Sequence, residues 1–311
     1  MRKEGHEVEL LDLDLEMALK LLEPENIAQA LRRCKDKMAV IDQKEKKEWE
    51  DTSYWHDLYE AYRMCKGLPG EIGNALSVLK CNEFYNRKRF KWARKTINQA
   101  LNLITVSLHP KLEYQMDGQI FETAYGIDRF SDLEKAVLDD EANLFGPIYD
   151  QHVLPRISEL KPDLIGISIL NYQQIIPGLT LSFRLKRKGW PVFIGGTIFV
   201  KFINEIQENT NFFKFCHGVI VYEGETALSQ LLKVMEKEGS FKNVTNLLFP
   251  SQGKVKVNTP FHVEDLNRLP TPDFDGIPLE GYLAPQIVLP YNLGKGCYWG
   301  HCYFCEIPFI N

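Results

Sequence analysis

Three short apolar runs, set apart by stretches of helical spacing, do most to limit what this chain can fold into. They are "KPDLIGISIL", "PVFIGGT" and "HGVIVYEGE", all within residues 161–225. The first is Pro-led and rich in Ile, as in a strand buried on both faces of a parallel sheet. The second breaks at Gly195 and Gly196. Helical spacing precedes them in "YDQHVLPRISEL", separates them in "IIPGLTLSFRLKRKG" (closed by Gly189) and in about residues 200–208, and follows in "TALSQLLKVMEKEG". Strands alternating with helices imply a doubly wound α/β domain, whose ligands bind beyond the carboxyl ends of the strands. Those ends carry small and polar residues: Ser168, Asn171 and Gln173 after the first, Gly195, Gly196 and Thr197 after the second, Glu223, Gly224 and Glu225 after the third.

The flanking sequence differs in texture. Residues 6–15, "HEVELLDLDL", alternate apolar and polar and predict a half-buried strand. Residues 17–150 hold apolar positions at helical spacing between charged runs and predict a large helical insertion. Residues 244–258 predict a hairpin turning at Gly253, and a Pro-, Asp- and Gly-rich linker follows, so that 241–286 form hairpin plus linker. "QIVLPYNL" predicts a last strand.

At its end the chain reads "GKGCYWGHCYFC", with Cys297, Cys302 and Cys305 within nine residues in the spacing C-x4-C-x2-C. Gly296 and Gly300 let such a loop turn so that three thiolates face one inorganic centre. Four ligands would close a tetrahedral zinc site, for which His301 and Glu306 are the local candidates, but no second C-x2-C exists to pair with the first. Three thiolates suit a [4Fe–4S] cluster with one iron left open. A third reading is three buried structural cysteines.

Composition narrows the class of protein. At 311 residues the chain is long enough for about two domains, and 44% hydrophobic and 25% charged residues are those of a globular protein. The net charge of −5 favours neither nucleic acid nor an anionic membrane as partner. No apolar run reaches the ~20 residues that span a bilayer, and the start has no signal-peptide core, so a cytosolic protein with reduced or metal-bound cysteines is expected. "RKRFKWARK" (87–95) concentrates six basic residues and two aromatics. It could suggest a nucleic-acid partner, but in a net acidic protein it reads first as a solvated helix face or one packed against acidic neighbours. Cys34, Cys65, Cys81 and Cys216 are scattered and read as structural.

"GCYWGHCYFC" resembles the cluster loop of radical S-adenosylmethionine enzymes, in a variant with one more residue than usual between the first two cysteines. "KPDLIGISIL", "FIGGT", "VIVYEGETALSQLL" and the linker "LPTPDFDGIPLEGYLAP" resemble the cobalamin-binding domain, and the segment after it, of one large class of these enzymes. The resemblance implies that residues 1–16 and 151–240 form a cobalamin-binding domain, and that 287–311 hold the first strand and cluster loop of a TIM-like barrel. It implies that Cys297, Cys302 and Cys305 ligate the cluster, that S-adenosylmethionine chelates the open iron, and that Phe304 packs near its adenine. The strand-end residues named above would line the corrin, the glycines permitting close backbone approach. The D-x-H-x-x-G motif that gives cobalt a histidine elsewhere is absent, and His217 reads as an ordinary half-exposed residue.

The implied activity is reductive cleavage of S-adenosylmethionine to a 5′-deoxyadenosyl radical, coupled in many relatives to methyl transfer through cobalamin. The resemblance also implies a strand and helix before Gly5 and the rest of a barrel after Cys305. The chain is therefore expected to be a fragment truncated at both ends, or a subunit whose barrel is encoded separately, without a complete active site. Other readings are a non-catalytic cobalamin- or zinc-binding module, and an interaction protein whose helical region docks a partner.

Overall fold

The computed structural model describes residues 1–116, 120–237, 239–290 and 294–305, residue 120 by its backbone alone. The chain divides into two compact units, one of residues 8–144 and 274–290, the other of residues 1–7, 145–273 and 291–311.

The first unit is mainly helical. It holds α1 (Leu13–Leu21), α2 (Pro24–Asp42), α3 (Trp49–Cys65), α4 (Leu68–Leu79), α5 (Arg87–Leu108) and α6 (Phe130–Leu138). Local sequence sets the starts: Pro24 opens α2, Glu48 and Asp51 form a capping box on α3, and Asn86 Oδ1 accepts from the N–H groups of Lys88 and Arg89 at the head of α5. The buried stripe of α5 (Ala93, Ile97, Ala100, Leu101, Ile104) packs with Ile27, Ala30 and Cys34 of α2, Leu58 and Ala61 of α3, and Ile72 and Ala75 of α4. A short antiparallel hairpin, β1 (Glu113–Gln115) with β2 (Ile120–Glu122), interrupts the helices and was not foreseen.

Residues 6–15 do not form the expected strand. Among the described residues they carry no strand as far as Asp12, whose carboxylate accepts from Leu15 N–H and caps α1. A period-2 pattern makes a strand only beside another strand. Here a good N-cap followed by acidic Asp14 and Glu16 settles the local contest for helix.

The second unit is α/β. Helix α7 (Phe145–Ile148) runs through a π turn (Tyr149–Val153) into α8 (Leu154–Leu160). Then come β3 (Ile165–Ser168), α9 (Ile175–Arg187), β4 (Val192–Gly195), α10 (Ile203–Glu208), β5 (Gly218–Ile220), α11 (Glu225–Glu236), β6 (Leu247–Ser251) and β7 (Lys254–Val257). The sheet order is β3-β4-β5-β6-β7; the first three strands are mutually parallel and the last two join antiparallel. Gly253, at φ 74 beside Gln252 at φ 52, makes the tight hairpin turn. Leu247 and Phe249 of β6 join Phe193, Ile220, Ala227 and Leu231 in one core cluster, so the hairpin completes the sheet rather than lying apart from it.

Two expectations about the sheet are corrected. The parallel strands follow chain order from one edge, so the described sheet lacks the order reversal of a doubly wound fold. β3 is the edge strand, and its residues alternate between half-buried and exposed instead of being covered on both faces. "QIVLPYNL" forms no strand over residues 286–290, where Ile287, Val288 and Leu289 are exposed and no ladder partner lies alongside among the described residues; the rest of that run falls outside them.

Candidate cofactor site

The carboxyl ends of the parallel strands lie in one row, with Ser168 opposite Gly195 and Gly195 opposite Ile220. The sequence-predicted residues there divide by what they already do. Asn171 Oδ1 accepts from Gln174 N–H at 3.1 Å, and Thr197 Oγ1 donates to Leu170 O at 3.3 Å, so both brace the loop after β3. Gly195 and Gly196 serve strand packing. A Cβ at Gly196 would stand 2.0 Å from Ile169 O, on a backbone at φ 124, and one at Gly195 would stand 3.1 Å from Ile220 O. The vacant Cβ positions of these two glycines therefore face Ile169 and Ile220 of the chain itself. Ser168 is exposed and Gln173 half-buried, and neither side chain has a hydrogen-bond partner among the described residues. A Cβ at Gly224 would meet Ile220 Cγ2 at 3.9 Å, an ordinary contact, and Glu225 is exposed in the first turn of α11.

Glu223 is the best-anchored of the set. One carboxylate oxygen accepts from Glu264 N–H, the other pairs with Lys295 Nζ, and its carbonyl accepts from Asn246 Nδ2 at 3.0 Å. Asn246 is fully buried at φ 58; its Nδ2 also donates to His262 O at 3.0 Å, and its Oδ1 accepts from His262 N–H at 2.7 Å. Glu264 accepts from Thr226 N–H at 2.7 Å and Thr226 Oγ1 at 3.0 Å. It thereby caps α11 from outside, since Gly224 offers no side chain for that role. Burial pushes the Glu264 carboxyl up, but the bonds from Thr226 and His262 outweigh it and hold the group below its ordinary value. The anion-favouring start of α11 is thus already filled by a carboxylate of the chain.

Lys295 begins the cysteine loop, so its pair with Glu223 ties the base of that loop to the end of β5. Gly296 (φ 79) and Gly300 (φ 63) supply the left-handed turns. Cys297 is exposed, Cys302 and Cys305 half-buried, and none is in a disulfide. The backbone N–H groups of Gly300 and Trp299 point at Cys297 sulfur and hold its thiol below the ordinary value. Cys305 N–H donates to Cys302 O at 3.2 Å. Phe304 is 90% exposed and is therefore no core aromatic. His301 is exposed and meets Trp299 edge-on; Glu306, the other zinc candidate, lies outside the described residues. Among the described residues no group of three or more His, Cys, Asp or Glu is gathered as a metal site.

No family model, curated protein or solved structure matches this chain.

Soft thiolates on a glycine-turned loop, one of them already receiving two N–H groups, form a donor set suited to an iron–sulfur centre, although the thiols stand apart here. His217 lies at the amino end of β5, where Nδ1 accepts from Val192 N–H at 3.0 Å, and burial lowers its pKa. It is far along the strand from the row of candidate residues, as its sequence context implied. Cys34, Cys65 and Cys216 are buried, and desolvation pushes Cys34 up to about 11 and Cys216 to about 12. Sequence reasoning missed Asn246, His262, Glu264 and Lys295. Apart from the neighbouring pair His262–Glu264, their partners are between 16 and 72 residues away, and no local pattern announces them. Among the described residues no helix is long and apolar enough to cross a membrane.

Proposed function

We propose that this chain carries the cobalamin-binding α/β unit and the cluster loop of a radical S-adenosylmethionine enzyme, with Cys297, Cys302 and Cys305 as ligands of a [4Fe–4S] cluster. The observation that carries the reading is the C-x4-C-x2-C loop itself, turned at Gly296 and Gly300 and rooted by Lys295 on Glu223. When bound, such a cluster supplies the electron for reductive cleavage of S-adenosylmethionine, and ligation by three thiolates leaves one iron for that substrate. The chain's own contribution is to present thiolates. The two N–H groups at Cys297 stabilise the charged form a metal ligand must adopt. Phe304, unpacked beside Cys305, is available to cover a bound adenine.

Cobalamin is assigned to the carboxyl edge of β3, β4 and β5. Ser168 and Gln173 have unengaged polar groups for its amide side chains, and Gly224, where a Cβ would meet only Ile220 Cγ2 at 3.9 Å, allows close approach. Gly195 and Gly196 shape that edge without lining it. The pairing of these cofactors supports radical methyl transfer as the reaction class, by analogy of fold and cofactor.

Anaerobic reconstitution with iron and sulfide tests the reading. About four irons per chain are expected, together with an EPR signal of the reduced protein that shifts on adding S-adenosylmethionine and is lost in Cys297/Cys302/Cys305→Ala. Stoichiometric zinc without a cluster would overturn the enzyme reading and leave a metal knuckle. Cobalamin retained through gel filtration by the native chain, and weakened by Ser168→Trp or Gly224→Trp, would support the second cofactor; equal retention would remove it.

A further inference from the structure

The first half of α5 is more strongly basic than its fold requires. Of the six cations in residues 87–95, Arg89 pairs with Glu83 at 2.9 Å, whereas Arg87, Lys88, Lys91 and Lys95 are exposed and meet no carboxylate among the described residues. The first turn of α5 contains no acidic residue, so these charges oppose the helix dipole instead of complementing it. Acidic neighbours, the ordinary use of such a stripe, are not what neutralises it.

The adjoining face of the same helix is different. At about 100° per residue, Phe90, Arg94 and Ile97 fall on an arc beside that of Lys88, Lys91 and Lys95. They line a cavity of about 250 Å³ with Leu79, Phe84 and Leu283. Phe84 and Phe90 are only half-buried, so the cavity meets solvent next to the cations. An apolar cavity of ~150 Å³ already holds a benzene ring, so this one has room for a single large apolar side chain.

We infer that this surface docks an acidic peptide segment that inserts one apolar side chain into the cavity while its carboxylates face Arg87, Lys88, Lys91 and Lys95. An apolar anchor in a pocket with charges at the rim is the common division of labour in peptide recognition. A polynucleotide fits less well. It would use the cations, but it needs aromatic faces to stack on, and the rings here are largely engaged. Phe84 and Phe90 pack edge to face at 4.9 Å, and the Arg89 guanidinium covers Trp92 at 4.7 Å. Tyr85, 65% exposed, also meets Phe84 edge to face, at 5.4 Å. The inference is independent of the cofactor reading.

Selection from a displayed library of random peptides, each about a dozen residues long, tests it on the full chain. The expected survivors carry several Asp or Glu around one Phe, Leu, Ile or Met. By fluorescence anisotropy at low salt, Lys88→Glu/Lys91→Glu/Lys95→Glu should weaken the best of them by about tenfold or more. All three side chains are exposed, so this variant should fold, which circular dichroism checks. Replacing the apolar anchor of the peptide by Gly should weaken binding by a similar factor, without any change to the protein. Survivors with no acidic bias, or equal binding by the charge-reversed variant, would overturn the inference. So would a single-stranded oligonucleotide that outcompetes the peptides, or a charge-dependent dimer seen by sedimentation, which would assign the surface to nucleic acid or to a second copy.

Discussion

Two neighbouring parts of the α/β unit use polar atoms in opposite ways. Behind the end of β5, both side-chain polar atoms of Asn246 are engaged inside the fold, and Glu223 and Glu264 are fully occupied with Lys295, Thr226 and backbone N–H groups. On the loop that Lys295 begins, Cys297 is exposed and the aromatics around it lie open. A group that already has its partners holds the fold, and removing it must cost stability. A reactive group left open can be removed at little cost, and its chemistry awaits something outside the chain. If the division is correct, stability and ligand binding should separate cleanly between the two parts.

The severest break is Gly196→Ala. The new Cβ would fall 2.0 Å from Ile169 O on a backbone at φ 124, and neither strand can yield without parting β3 from β4. We expect a loss of about 4 kcal/mol or more, seen as failure to fold or a collapsed denaturation midpoint. Asn246→Ala comes next, at about 3 kcal/mol from lost hydrogen bonds and the left-handed backbone. Asn246→Gly sharpens the attribution. It should recover about 1 kcal/mol of that loss, because glycine accepts φ 58 without a Cβ penalty.

Glu264→Gln should cost about 1 kcal/mol, and its signature is pH dependence. The folded-state pKa of Glu264 lies below the ordinary 4.5, so its contribution is fully present above that value and fades as pH falls through the folded-state pKa. Denaturation midpoints of the native chain should therefore drop more steeply below pH 4.5 than those of Glu264→Gln. Parallel curves would remove Glu264 from the clamp.

Much of this was legible locally, and the reasons are physical. The apolar runs at 164–169, 191–195 and 217–221 become parallel strands because they alternate with helices that can cover them, and Gly253 dictates its turn whatever lies around it. Residues 6–15 and 286–290 behave differently. A strand is a relation between two segments, so an alternating pattern does not by itself make one and can yield to a cap such as Asp12. The same limit hid the union of β5 with β6, where Val219 faces Leu248, and the pair Glu223–Lys295. The cysteine loop was the reverse case, since its spacing is local and visible in the letters alone. The glycines at 195 and 196 were seen but assigned to a ligand, because a sequence does not show that the vacant Cβ positions face another strand.

The smallest expected effect is the most discriminating. Cys297/Cys302/Cys305→Ala should leave the denaturation midpoint close to that of the native chain, since Cys297 is exposed and the other two are only half-buried. Alkylation of the folded, metal-free protein gives the complementary readout. Cys297, exposed and with its thiol held below the ordinary 9.0 by the N–H groups of Gly300 and Trp299, should react with iodoacetamide well before Cys34 or Cys216. Burial keeps those two thiols at about 11 and about 12, and access to them requires local unfolding. Peptide mapping against time at neutral pH ranks the sites. If the triple variant loses several kcal/mol, or Cys297 is as slow as Cys216, the loop is part of the packed fold, and the contrast between held and open groups fails where it matters most.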